Sequence, residues 1–154
     1  MNANIEIKNT PELNLPAVTH IGINDVENGF SRLIKWANSK SLLQDPEAKM
    51  GRIFYDSVKI TAPDKVRMGI FLITDKPFEA EGEINKLTIT KGRCIVGRFE
   101  ITTNDFEKSW TGLFVWMNEN GYKKNDEHPF EIYHNDYREH PENKFIVDLY
   151  IPIE

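Results

Sequence analysis

A single cysteine, Cys94, stands among 154 residues. No disulfide and no cysteine-based metal site can form within one chain, and a reducing cytoplasm is its natural setting. Long hydrophobic runs are also missing. No apolar stretch approaches the roughly 20 residues that span a bilayer, and the opening Met1 to Lys8 lacks the basic-then-apolar pattern of an export signal. Basic charge is not in excess either: 19 Lys and Arg face 24 Asp and Glu, a net charge of -5 with a pI near 5.4. That balance gives no footprint for nucleic acid or an anionic membrane and leans towards cationic partners. Gly-x-Ser-x-Gly and phosphate-loop patterns are absent. His128, His134 and His140 are spaced six apart, without an i, i+4 pair on a helix, so the spacing calls for no metal, and nothing in the chain calls for a cofactor.

What is present reads as one globular domain, with 40% hydrophobic and 28% charged residues. Alternation predicts strands at Asn4 to Lys8, Ala17 to Ile23, Gly51 to Ile60 and Val66 to Thr74. Others are expected at Ile84 to Thr90 and Arg93 to Thr102, as a hairpin about Lys91-Gly92, then at Phe130 to Tyr133 and Phe145 to Ile153. Two helices begin at Asn24-Asp25-Val26-Glu27, with Asn24 as N-cap of a capping box, and at Asn104-Asp105-Phe106-Glu107. Phe30, Leu33, Ile34 and Ala37 give the first an apolar face; Trp110, Leu113, Phe114 and Met117 do so for the second, which Gly121 should end.

The chain repeats itself. Asn24-Asp25-x-Glu27 and Asn104-Asp105-x-Glu107 lie 104 − 24 = 80 apart, and at that offset Phe30 meets Trp110, Leu33 meets Leu113 and Trp36 meets Trp116. Downstream an offset of 133 − 55 = 78 pairs Tyr55 with Tyr133, and Phe71 with Leu149. Two strand-helix-strand-strand copies, about 5–76 and 84–154, imply an α+β fold with a mostly antiparallel sheet and both helices on one face. In that alignment Glu131 falls opposite Ile53, a carboxylate where the other copy is aliphatic. It is expected either on a solvated strand face or at the floor of an aromatic pocket between the halves.

Several stretches resemble the GyrI-like effector-binding family, the ligand-binding module of AraC- and MerR-type regulators. They are Leu15-Pro16-Ala17-Val18 into His20-Ile21-Gly22, the helix Phe30 to Trp36, Arg52-Ile53-Phe54-Tyr55-Asp56, Phe130-Glu131-Ile132-Tyr133, and Asp148-Leu149-Tyr150-Ile151-Pro152-Ile153. The resemblance covers nearly the whole chain. It implies two repeats related by pseudo-twofold symmetry and a pocket for lipophilic cations built on a buried glutamate, here Glu131. The aromatic wall would come from Tyr55, Trp110 and Phe71, with Phe30, Tyr133 and Trp116 as further candidates that could equally be core. The family's regulators add a DNA-binding helix-turn-helix, for which this repeat leaves no room, so a standalone member without nucleic-acid contacts is expected.

Aromatic faces attract a desolvated cation and a buried carboxylate adds to that attraction, which favours a small-molecule-binding protein. Two alternatives follow from the resemblance. One is a hydrolase of strained, cyclopropane-bearing electrophiles using Glu131 with Tyr55; the other is a protein inhibitor of DNA gyrase. Trp36 and Trp116, beside the main helix faces, would seal the core edge, or else form a lid or the contact of a homodimer.

Overall fold

The computed structural model describes residues 4–154. These form two compact units, one of residues 13–89 and one of residues 4–12 with 90–154, here the first and second unit. Each carries one α-helix and four strands, and every strand pairing within a unit is antiparallel, so the class is α+β as expected.

In the first unit β2 (Leu13–Ile21), α1 (Val26–Ser39), β3 (Lys49–Phe54) and β4 (Arg67–Ile73) follow the repeat, and β5 (Asn85–Ile89) is added at the edge beside β2. The second unit has β6 (Gly92–Ile101), α2 (Phe106–Glu119), β7 (Phe130–Tyr133) and β8 (Phe145–Ile153), with β1 (Asn4–Thr10) added beside β6. The expected hairpin about Lys91-Gly92 therefore does not form. β5 pairs with β2, which sets Leu87 against Leu15 and Ile89 against Leu13, whereas β6 pairs with β1 and β8. Pro16 lies in the half of β2 that pairs with β5 alone, as its missing N–H requires.

Both helices begin later than the capping-box pattern predicts. The N-caps are Asp25 and Asp105, neither with a side-chain capping bond. Asp25 Oδ1 instead lies 3.1 Å from His20 Nε2, while Asp105 Oδ2 accepts from Thr102 Oγ1 at 3.0 Å. The end of α2 is as expected. Gly121 takes φ +75°, its N–H donates to the Asn118 carbonyl, and that of Tyr122 donates to Met117, a Schellman closure. β3 stops at Phe54 rather than at Ile60, and Tyr55 to Ile60 form bends and a turn.

The core of each unit lies between helix and sheet. Leu33 and Ala37 of α1 meet Val18, Met68, Ile70 and Leu72; Leu113 and Met117 of α2 meet Ile95, Phe99, Val147, Leu149 and Ile151. Each such aliphatic side chain contributes about 1.5–3 kcal/mol over leaving it in water.

Candidate functional site

The sheet register assigns every candidate side chain to a face. Glu131 stands opposite Leu149 and Tyr133 opposite Val147. Directly paired residues share a face, and Leu149 and Val147 belong to the core under α2, so Glu131 and Tyr133 are on the α2 side. Glu131 has 0% of its surface exposed. Burying a carboxylate is expensive, and this one sits in a strand whose neighbours Phe130 and Ile132 are also buried. Trp110, Trp116 and Tyr133 are partly buried against the same α2 core. Trp110 lies 6.1 Å from Phe114, ring centre to ring centre, and Trp116 stacks on Tyr122 at 5.9 Å. The second unit thus gathers four of the seven candidates on one side of its sheet.

The first unit divides the other three. Phe30 packs against the α1 core. Phe71 pairs with Gly51 and Ala17 and alternates with Ile70 and Leu72, so it is fully buried on the face away from α1. Tyr55 goes with it. A Cβ added to Gly69 would fall 2.9 Å from the Tyr55 hydroxyl and 3.0 Å from Ile53, which places that hydroxyl over Gly69 on the same reverse face. Burial raises the Tyr55 phenol above its ordinary value.

These placements correct the pairing of Ile53 with Glu131. In the first unit Ile70 occupies the helix-side position that Leu149 holds in the second, and Ile70 pairs with Arg52. The strand offset is therefore 149 − 70 = 79, and the counterpart of Glu131 is Arg52, 131 − 79 = 52. A slip of one residue exchanges the faces of a strand. Arg52 lies over the Phe54 ring, 4.9 Å from its centre. The repeat thus carries opposite charges at one position, which comparison of sequences at an offset of 78 conceals.

A second cluster lies on the reverse face of the second unit. Asp148, 3% exposed, accepts from Arg98 Nε at 2.7 Å and Arg98 Nη2 at 2.9 Å. Its Oδ2 also lies 2.7 Å from His134 Nε2. A carboxylate only accepts, so that nitrogen carries the proton. Burial alone would raise the Asp148 carboxyl, but the hydrogen bonds from Arg98 and His134 outweigh it and hold the group well below the usual carboxylate range. Tyr150, stacked on Phe130 at 4.4 Å, is pushed up to about 12 by burial, with the charge of Asp148 adding to it. Sequence reading missed this network; Arg98 and Asp148 each stand in an alternating strand, and their pairing depends on the β6–β8 register.

An open groove of about 400 Å³ in the first unit is lined in part by Asn14, Lys76, Phe78 and Lys86. Its two lysines are accompanied by Asp75, and it contains none of the candidates. Among the described residues no group of three His, Cys, Asp or Glu is placed to hold a metal, and no helix is long and apolar enough to cross a membrane.

A family model described as GyrI-like small molecule binding domain matches residues 3–154. The chain is 24% identical over 133 residues to DNA gyrase inhibitor 1 of Dickeya dadantii (strain 3937), covering 84% of each. It is 27% identical over 130 residues to the DNA gyrase inhibitor of Edwardsiella ictaluri (strain 93-146), covering 81% of this chain and 80% of that one. Among solved structures, the EcmrR C-terminal domain superposes with a TM-score of 0.77 at 15% identity, over 100% of this chain and 99% of that one. A hydrolase from Listeria innocua gives 0.67 at 14% identity, over 97% and 91%. SAV2435 bound to tetraphenylphosphonium gives 0.58 at 11% identity, over 98% and 94%. At these identities the structural likeness establishes the fold.

Proposed function

Because the chain belongs to the GyrI-like small molecule binding domain family, we propose that it binds a lipophilic, cationic effector through Glu131, with Tyr133 and Trp110 as the aromatic residues nearest in role. The observation that carries this reading is the complete burial of Glu131 on the α2 side of its sheet. A carboxylate and aromatic rings gathered on one side of the strands suit a cation with apolar substituents. The likeness in fold to SAV2435, solved with tetraphenylphosphonium, supports the choice of ligand class. Tyr55 and Phe71, on the face of the first unit's strands away from α1, receive no role.

The test is calorimetric titration with tetraphenylphosphonium, the equally shaped anion tetraphenylborate and the neutral triphenylphosphine oxide. Wild type should prefer the cation, and Glu131→Gln should remove that preference, weakening the cation by about 10- to 100-fold, or about 1.4 kcal/mol per factor of ten. Equal affinity of wild type for all three, or an unchanged preference in Glu131→Gln, refutes the reading.

The names of the two curated relatives favour a second reading, a protein that inhibits DNA gyrase. A supercoiling assay with purified gyrase decides it: no inhibition at a large molar excess excludes it. The hydrolase among the structural neighbours motivates a third arm, in which turnover of a cyclopropane-bearing electrophile, lost in Glu131→Gln, would mark Glu131 as a general base instead.

A further inference from the structure

Strand β7 has four residues and pairs with β8 only from Phe130 to Tyr133. That ladder is short, and its register with β8 sets Glu131 on the side of Leu149. Its reverse side is fastened at both ends. Phe130 stacks on Tyr150, with ring planes 11° apart. His134, directly after the strand, donates its backbone N–H to Ile146 at 2.8 Å and holds Asp148 through its ring. Asp148 stands opposite Ile132, the residue between Glu131 and Tyr133, and its second oxygen is taken by Arg98 from β6.

We propose that Asp148 is a positioning residue for Glu131, holding β7 from the reverse face in the one register that turns the Glu131 carboxylate towards α2. The inference rests on the reading of Glu131 as the effector carboxylate. An ion network around a buried carboxylate is a poor device for stability alone, because apolar replacements of similar volume often do as well. What it adds is direction. Leucine in place of Asp148 would tolerate a shifted or twisted β7, whereas the directional bond of His134 to a carboxylate that Arg98 fixes from β6 does not.

Asp148→Asn keeps the shape and loses the charge. The control is Ile151→Val, which trims the α2 side of the same β8 beyond the stretch paired with β7. Three quantities are read: hydrogen exchange of the His134 amide relative to that of Ile95, the carboxyl carbon resonance of Glu131 in protein labelled at glutamate and assigned through Glu131→Gln, and tetraphenylphosphonium affinity. Asp148→Asn should speed His134 exchange and weaken the cation, each about tenfold, and should move the Glu131 resonance. Ile151→Val should leave all three unchanged. If Asp148→Asn shows wild-type His134 exchange and an unmoved Glu131 resonance, the proposal is overturned. Failure of wild type to bind tetraphenylphosphonium counts against the functional reading alone, since exchange and resonance judge the positioning role without ligand. If Asp148→Asn does not fold, Arg98→Lys, which keeps the charge but not the paired donors, takes its place under the same criteria.

Discussion

Asp148 and Tyr150 are neighbours on one face of β8, and burial stabilises neither in its charged form. They differ in partners. Arg98 and His134 keep Asp148 ionised far into acid, whereas Tyr150 is held neutral up to about 12. The consequences for stability have opposite signs. The folded Asp148 carboxyl lies below its unfolded value of about 3.9, so its contribution is complete above that value and is lost as pH falls through the folded one. Urea midpoints measured from about pH 5 downwards should therefore fall more steeply for wild type than for Asp148→Asn. At neutral pH that substitution should cost about 1–3 kcal/mol, at the lower end because half of the Arg98 side chain is solvated. For Tyr150 the folded value is raised, so its contribution is present below about 10 and declines as pH rises through the folded value. Near-ultraviolet titration should show a tyrosine ionising last, near 12, and Tyr150→Phe should abolish that step.

At the scale of elements, the helices were legible because their apolar residues recur every three or four positions, a signal carried entirely within the segment. Their exact starts were not, because Asp25 had two possible uses and the contact with His20 won. Gly29 of α1 shows a related competition. Alanine is favoured over glycine in a helix by about 1 kcal/mol. Here its Cβ would lie 2.4 Å from Ile70 Cδ1 and 3.0 Å from the His20 ring. Ile70 is fully buried, and His20 is tied to Asp25 and Arg32, so neither can yield freely. Overpacking costs about 1–3 kcal/mol, and it should outweigh the propensity. Gly29→Ala is therefore expected to lower the urea midpoint by the equivalent of about 1 kcal/mol with an unchanged slope. Strand faces were the harder problem. Tyr55 and Tyr133 looked equivalent by sequence, yet Tyr133 is on the α2 side of its strands and Tyr55 on the face away from α1.

At the scale of the whole molecule, a ligand that binds only the folded state shifts the unfolding equilibrium by mass action. At 100 times its dissociation constant it adds about 2.7 kcal/mol. For a chain of 154 residues each kcal/mol is worth about 2–4 °C. Saturating tetraphenylphosphonium should therefore raise the melting temperature of wild type by about 5–10 °C, with little shift in Glu131→Gln. Differential scanning fluorimetry reads this directly, and an equal shift in both proteins would place the cation elsewhere.

The sequence by itself determined the α+β class, the doubled strand-helix-strand-strand order, the apolar faces of both helices, and the singular position of Glu131 within a strand of aromatic and aliphatic residues. Family membership was also within its reach, since it depends on the order of many weak motifs. Only the tertiary structure decided that β1 completes the second unit and β5 the first, that Arg52 rather than Ile53 is the counterpart of Glu131, and that Asp148 gathers Arg98 and His134 behind β7. The physical reason is common to all three. Helical periodicity is a local property, but the face of a strand residue changes with each single step of register. Register is fixed by partners distant in the chain, such as Asp148 for Arg98, 50 residues away.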